Sequence, residues 1–462
     1  MKQRAQSLFN ETMLNKHLIK KPVLPAVKPL ALMGLVACTS GVMASNQVHA
    51  PGPVMTYGKT THHSTILSIA NNPASGHALL SQGEKHRMGY FSSLGVDVEV
   101  GEVDNFLDDV DELIDELDKD NLTINEANAV KAKFDALLPK MGEDAQVTLG
   151  LGVHVPFMPF AVKSDTLGGV LSFDLKAQGL FDIRFLDAPL EIQTVGGNST
   201  LETDSSMYVK GGTMLTGSLG YSREVWYPSF VEDSILYAGV QANIYKVSLN
   251  KQVLALSNIE DDEVSDAIQD EFEENTVDTT QLGIDFGLLW AMPNAQVGVT
   301  FANINEPEFD YGAIGTNCAS IADPIRQSNC FVAQNRFSGE IDLNETAVMN
   351  AQTTVEGALF TQDKQWVFSG AADLNSVYDL VGRETQYLSA AASYFPNSYI
   401  IPSLRLGLSK NMAGSKLTTV GFGTTLFGVM NIDLSASLDT VEIDGTKAPR
   451  HFGFNIGFEE KF

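Results

Sequence analysis

Gln146–Val155 reads QVTLGLGVHV, and its ten residues alternate without interruption. Successive side chains of a strand point to opposite faces, so Val147, Leu149, Leu151, Val153 and Val155 share one face while Thr148, Gly150, Gly152 and His154 share the other. Gln281–Trp290, QLGIDFGLLW, repeats the pattern, with Leu282, Ile284, Phe286, Leu288 and Trp290 set against Gly283, Asp285 and Gly287. So do LSFDLKA (171–177), LFDIRF (180–185), GGTMLTGSLGYS (211–222), SILYAGVQANIYKVSL (234–249), AQVGVTFANI (295–304) and TTVEGALF (353–360). The run continues through QWVFSGAADL, QYLSAAASYF, PSLRLGLSKN, KLTTVGFGTTLF and MNIDLSASLD to the C-terminal HFGFNIGFEEKF. Segments of about ten residues, apolar on one face and carrying Gly, Ser, Thr, Asn or charge on the other, are the form of an all-β transmembrane barrel.

A soluble sandwich is the competing fold, and two features weigh against it. Charged residues are only 19% of the chain, and small residues rather than Lys and Glu dominate the polar faces, which therefore read as enclosed. Aromatics gather at strand ends, at Tyr221, Trp226, Tyr227, Trp290, Tyr394 and Phe395, where a barrel meets the two membrane interfaces. Counting back from Phe462 gives fourteen antiparallel segments within 145–462. An even number leaves both ends on the periplasmic side. MPN (292–294) and TQDK (361–364) then become short periplasmic turns. The segment 250–280, with its acidic DDEVSDAIQDEFEEN, and the segment 304–349 become outer loops.

Residues 1–44 read as an export signal. Lys16, Lys20, Lys21 and Lys28 precede PLALMGLVACTSGVMA, which closes on small residues at Ala44. Leu35-Val36-Ala37-Cys38 offers the other processing route, lipidation at Cys38. Beyond the signal, no apolar run reaches the roughly 20 residues a membrane helix needs. The net charge of −27, without a Lys/Arg stripe, excludes a direct nucleic-acid grip. In an exported chain, Cys318 and Cys330, spaced by polar and turn residues, are expected to form a disulfide.

Residues 45–100 combine a turn-rich segment with one further strand signal, in which Val96, Val98 and Val100 alternate with small or acidic residues. That strand and the helical segment after it stand outside the count of fourteen, as part of a plug, a periplasmic extension, or a first strand whose partner is not identified. The spacing over 101–144 changes to three and four. Val103, Phe106, Leu107, Val110, Leu113, Ile114 and Leu117 predict an amphipathic helix with an acidic back. Thr123 and Glu126 form a capping box opening a second helix, with Ala127, Val130, Phe134, Leu137 and Leu138 on its stripe and its end expected before Pro139. The two stripes are expected to cover each other.

An Asn-Pro-Ala segment soon after an export signal, here Asn71, Asn72, Pro73, Ala74 and Ser75, followed by a barrel of this size, resembles the superfamily of the long-chain fatty-acid transporter FadL. With GEVDNFLDDVDELIDELDKD and a second helix after the first strand, the chain more particularly resembles the TraF-type conjugal-transfer outer-membrane family. That resemblance implies that residues 71–75 belong to a hatch inside the barrel. It also implies a place in the outer membrane of a Gram-negative bacterium and a link to conjugation, with conjugation-apparatus proteins as partners. The FadL likeness implies the alternative, a passive channel for hydrophobic solutes with an apolar pocket leading through the hatch. The chain has no Cys-x-x-Cys, so the redox site of the thioredoxin-like TraF has nowhere to land.

Phe454, Ile456, Phe458 and Phe462 match the C-terminal pattern that the barrel-assembly machinery reads in proteins this chain resembles, and Glu460 interrupts it. Catalysis has no candidate residue and no cofactor is expected. His49, His62, His63, His77 and His86 cluster near the N-terminus, where THHS (61–64) lacks further ligands at metal spacing. His154 should face the lumen without a nucleophile motif beside it. Arg184, Lys246, Asp285, Asp373 and Arg405 are expected to line the same lumen and pair among themselves.

Overall fold

In a bilayer the backbone can hydrogen-bond only to itself, so strands must pair on both edges all the way round. The computed structural model describes residues 54–80, 84–259, 275–398, 400–443 and 445–459. Residues 1–44 with Cys38, His49, most of the acidic stretch DDEVSDAIQDEFEEN, Glu460 and Phe462 lie outside the described residues.

The strands are β1 (His86–Val100), β2 (Gln146–His154), β3 (Phe160–Ser164), β4 (Gly169–Leu186), β5 (Glu191–Val195), β6 (Asn198–Glu202), β7 (Ser206–Trp226) and β8 (Ile235–Ala255). They continue as β9 (Val277–Met292), β10 (Ala295–Ala302), β11 (Glu308–Asp310), β12 (Thr346–Val348), β13 (Gln352–Phe360), β14 (Trp366–Asp373), β15 (Val377–Tyr378) and β16 (Glu384–Thr385). The last are β17 (Tyr387–Tyr394), β18 (Ser403–Asn411), β19 (Thr418–Leu426), β20 (Met430–Ser437), β21 (Thr440–Ile443), β22 (Thr446–Pro449) and β23 (His451–Glu459). Four two-stranded hairpins, β5–β6, β11–β12, β15–β16 and β21–β22, stand in the loops. The rest form one antiparallel sheet, closed where β1 pairs with β23 in the register Val96↔Phe454, Asp97↔Gly453 and Val98↔Phe452. β2 and β3 share one position, since each pairs with both β1 and β4, so the barrel has fourteen staves.

The number agrees with the sequence count, but its membership does not. LSFDLKA and LFDIRF are one strand, β4, which pairs continuously with β7 through Gln178↔Met214 and Gly179↔Thr213. Its alternation carries through Gln178 and Gly179 without a break. Of the readings left open for the strand outside the count, the first strand is the one observed: β1 is the first stave, and its second partner is the C-terminal strand.

Alternation decides what each face meets. On β18, Leu404, Leu406 and Leu408 are 43%, 58% and 50% exposed toward lipid, whereas Arg405 between them is 2% exposed in the lumen. β1 begins and β23 ends at the same rim, which also carries the short connections 293–294, 361–365 and 427–429. The opposite rim carries 101–145, 187–205 and 303–351. Long loops mark the outward rim.

β4, β7 and β8 run for 18, 21 and 21 residues, well beyond the 9–11 that cross the hydrocarbon, and their surplus rises above the outward rim. α4 (Phe106–Leu117) and α5 (Ile124–Asp144) pack onto this surplus. Phe106, Leu113, Phe134 and Met141 are buried with Phe185, Met207, Val209 and Leu254 of the strands. The stripes thus cover the raised strand ends more than each other. The capping box is present, Glu126 accepting from the Thr123 amide at 2.8 Å, and these hydrogen bonds hold the Glu126 carboxyl below its usual range. α5 does not stop before Pro139 but runs through it to Asp144. Proline removes one backbone donor; the docking of Leu138 and Met141 keeps the last turn in place.

Opposite this helical pair, Cys318 and Cys330 are joined by a disulfide with Cα atoms 5.5 Å apart. It ties the segment Cys318–Ser320 to α6 (Pro324–Asn335), and Asn329 Oδ1 anchors α6 by accepting from Ala255 N at 3.1 Å and Asn258 Nδ2 at 2.8 Å.

Phe134→Ala is expected to cost the outer cap about 3–5 kcal/mol. On intact cells it should increase protease cleavage within 101–145 while leaving the barrel's resistance to unboiled SDS unchanged. Loss of the barrel itself would show that the cap is not a separate layer.

Candidate functional site

Three short helices, α1 (Val54–Tyr57), α2 (Ser68–Asn71) and α3 (Ser75–Leu79), and the turns between them lie inside the barrel as a hatch. Such a segment carries many backbone polar groups out of water, and each needs a partner. Four lumenal carboxylates supply part of this, taking two hatch amides and several hatch side chains. Asp433 accepts from Thr56 Oγ1 at 2.7 Å and from Arg405 Nη2 at 2.9 Å. Asp373 and Gln352 accept from Lys59 Nζ at 3.0 and 2.5 Å. Glu356 accepts from the Thr61 amide, from Thr61 Oγ1 at 2.7 Å and from Asn72 Nδ2 at 2.9 Å. Glu459 accepts from Thr65 Oγ1 at 2.7 Å, Ile66 N at 2.8 Å and Asn431 Nδ2 at 3.0 Å.

Residues 71–75 run from the last residue of α2 through the turn 72–74 to the first residue of α3. Asn72 is fully buried: its Oδ1 accepts from Ala74 N at 3.0 Å, and its Nδ2 also donates to the Leu288 carbonyl at 3.1 Å. Asn71 O accepts from Thr300 Oγ1 at 3.1 Å. Ala74 and Ser75 are buried against the wall. Pro73 approaches so closely that a Cβ at Gly239 would stand 2.3 Å from its carbonyl oxygen. Under α1, a Cβ at Gly407 would lie 1.4 Å from Thr56 O. The small polar face seen in the sequence is therefore the bed on which the hatch backbone rests.

The histidines of THHS do not converge on a common point. The rings of His62 and His63 stack with centroids 5.0 Å apart, and Tyr57 stacks on His62 at 5.0 Å. Among the described residues no three His, Cys, Asp or Glu are grouped to hold a metal. His154 is buried in the lumen with Nε2 3.5 Å from Asp174 Oδ2. Asp285 accepts from Asn243 Nδ2 and Asn303 N, each at 2.6 Å. Arg184 stands higher, at the outer mouth, and donates to Asp182 at 2.8 Å. Lys246 is the exception: β8 turns it to the outside, 3.9 Å from Asp278, because odd-numbered residues such as Gln241 and Asn243 face the lumen there. Phe454, Ile456 and Phe458 lie on the lipid side of β23, opposite the buried Asn455 and Glu459.

Sequence reasoning named Asp373 and Arg405 but missed Lys59, Glu356, Asp433 and Glu459. Each of these acids occupies an inward position of an alternating segment, so parity alone would have found them. Their target could not be found, since the pairing with hatch residues spans up to 394 positions.

Above the hatch, two cavities lead outward. An inner one of about 70 Å³ is lined by Val54, Met55, Lys59, Asp373, Arg383 and Tyr387, among others. An outer vestibule of about 720 Å³ is lined on one side by Gly142–Asp144 at the end of α5 and shares Glu99, Arg383, Thr385, Tyr387 and Asn411 with the inner cavity. Each vestibule cation already has an acid beside it: Arg383–Asp379 at 2.8 Å, Lys210–Glu345 at 2.6 Å, Arg184–Asp182 at 2.8 Å and Arg450–Glu102 at 3.3 Å. Further carboxylates, including Glu99, Asp144, Asp342 and Glu384, leave the vestibule acidic. Its walls are polar, not the apolar pocket expected of a conduit for hydrophobic solutes.

A family model described as F plasmid transfer operon, TraF, protein, matches residues 69–373. Among solved structures, the Pseudomonas putida toluene transporter TodX is 12% identical with a TM-score of 0.40, covering 90% of this chain and 99% of that one. The Ralstonia pickettii toluene transporter TbuX is 13% identical with a TM-score of 0.39, covering 90% and 99%. A Pseudomonas aeruginosa FadL homologue is 12% identical with a TM-score of 0.37, covering 90% and 98%. Among curated proteins none matches.

Asp433→Leu leaves Arg405 buried without its partner and is expected to destabilise the hatch by about 3–5 kcal/mol. Ion current through the purified protein in planar bilayers should rise, and adding Arg405→Met should lower it again. A double variant leakier than the single would refute this pairing as the hatch's anchor.

Proposed function

Because the chain belongs to the TraF family of the F plasmid transfer operon, we propose that this outer-membrane barrel is an accessory of conjugal transfer that displays its folded cap at the cell surface. Partners from the conjugation apparatus would meet the cap or the short periplasmic turns, and the barrel-assembly machinery would read Phe454, Ile456, Phe458 and Phe462. The observation that carries this reading is the anchored hatch. Four buried carboxylates hold it across the lumen, beneath a vestibule whose walls are polar and acidic. An open passage is not what such a lumen offers. The cap, whose helices share one hydrophobic core with the raised ends of β4, β7 and β8, is instead a surface for recognition.

The second reading is a passive FadL-like channel for hydrophobic solutes. One observation favours it: the second stave is interrupted between β2 and β3, at Val155–Pro159, beside the hatch. Hydrogen bonds close that gap, from Gly89 N to Pro159 O at 3.0 Å, Phe157 N to Tyr90 O at 3.1 Å and Ser92 Oγ to Met158 O at 2.6 Å. Behind it stand His154 and Asp174, polar groups that an apolar solute would have to pass.

Deleting the gene and measuring mating frequency beside uptake of a radiolabelled fatty acid separates the readings. The expected result is reduced mating, restored by the wild-type gene, with unchanged uptake. Unchanged mating with lost uptake would replace the first reading by the second.

A further inference from the structure

The outward connection between β14 and β17 does not stay over its own strands. It carries the hairpin β15–β16, whose tip reads Asp379-Leu380-Val381-Gly382-Arg383, and Asp379 builds that tip. Its Oδ1 accepts from Val381 N at 3.1 Å and Arg383 N at 2.8 Å, and its Oδ2 accepts from Arg383 Nε at 2.8 Å. Gly382 takes φ +87°, a value glycine adopts without strain. The tip then meets the far wall. Arg184 Nη2 of β4 donates to the Gly382 carbonyl at 3.3 Å, although five staves separate β4 from β14 one way round the barrel and six separate it from β17 the other way. Leu380 and Val381 are buried in one apolar cluster with Leu180 of β4, Met214 of β7 and Val247 of β8. Tyr311 Oη donates to the Leu380 carbonyl.

The hairpin also stands between the two cavities. Tyr378, Gly382 and Glu384 line the vestibule and not the inner cavity, Asp379 lines the inner cavity and not the vestibule, and Arg383 and Thr385 line both. We propose that β15–β16 is a strap that closes the lumen at its outward mouth, a second barrier above the hatch and separate from it, which a molecule seated in the vestibule touches directly. Separateness follows from what seats each part. The strap is held by aliphatic side chains against β4, β7 and β8, and the hatch by Asp373, Glu356, Asp433 and Glu459. Removing the apolar seat therefore frees the strap and leaves the carboxylates on the hatch. The proposal rests on the outward sidedness of the long loops given above.

Ser409 of β18 lines the inner cavity and not the vestibule, so Ser409→Cys places a thiol below the strap. The full-length gene is expressed with this change alone, with Val381→Asp added, whose charge has no partner in the apolar cluster, and with residues 377–385 replaced by a glycine-serine turn. Each protein is first checked for a folded barrel by gel mobility with and without boiling. Intact and permeabilised cells are then treated with a membrane-impermeant maleimide carrying a bulky dye, and Val195→Cys, 80% exposed at the tip of the β5–β6 hairpin, marks full access. On intact cells Ser409→Cys alone is expected to stay at background, and either strap variant to raise its labelling to the level of Val195→Cys. Ion current through the purified strap variants in planar bilayers should stay at the wild-type level, because the hatch is still in place. Full labelling of Ser409→Cys beneath an intact strap would overturn the proposal. So would background labelling in both folded strap variants, or a current that rises when the strap alone is released. If Val195→Cys labels only after permeabilisation, the sidedness of the barrel falls and takes the strap's outward role with it.

Discussion

Everything in this molecule depends on one seam. Inside a bilayer an unpaired strand edge cannot turn to water, and each orphaned amide costs several kcal/mol. The first stave, His86–Val100, must therefore find the last, His451–Glu459, across nearly the whole chain. Once Val96 faces Phe454 and Val98 faces Phe452, parity sends Phe452, Phe454, Ile456 and Phe458 to lipid and Asn455 and Glu459 to the lumen. A slip of one residue would exchange the two sets, placing Glu459 in lipid and phenylalanines against the hatch. Closure, facing and the hatch contact at Glu459 are one decision.

The second constraint is the cost of burying the hatch. Its amides and hydroxyls are matched by Asp373, Glu356, Asp433 and Glu459, which in turn would be costly to bury without Lys59, Arg405, Thr61, Asn72 or Thr65 beside them. The wall and its filling are thus mutually required. Glycines at the contact points let backbone lie on backbone, and a methyl group at Gly407 would already collide with α1. The same polar economy shapes the vestibule, where cations are paired and the surplus is acidic.

Much of this was legible in advance. The period-two segments gave the barrel and its even number of staves, the Thr123–Glu126 pair gave the start of α5, and Cys318 and Cys330 stood out as a pair. Errors came where local signals compete with tertiary ones. LSFDLKA and LFDIRF were counted as two strands, though cross-strand pairing carries straight through Gln178 and Gly179. Pro139 looked like the end of a helix, though packing of Met141 extends it. Lys246 was assigned to the lumen with the other strand charges, but it falls on the even-numbered, outward face of β8, beside Asp278. The hatch anchors were half visible, since parity identifies an inward acid and says nothing about which loop it will grip.

Glu99 and His451 face each other in the seam register near the outward rim, where an aqueous oxidant can reach them. The double variant Glu99→Cys/His451→Cys, isolated in outer-membrane fractions, should form a disulfide linking the first and last staves. After boiling without reductant it would run ahead of the reduced chain, and reductant would abolish the difference. A folded, membrane-embedded protein that forms no such link would contradict the closed barrel on which the rest of the account stands.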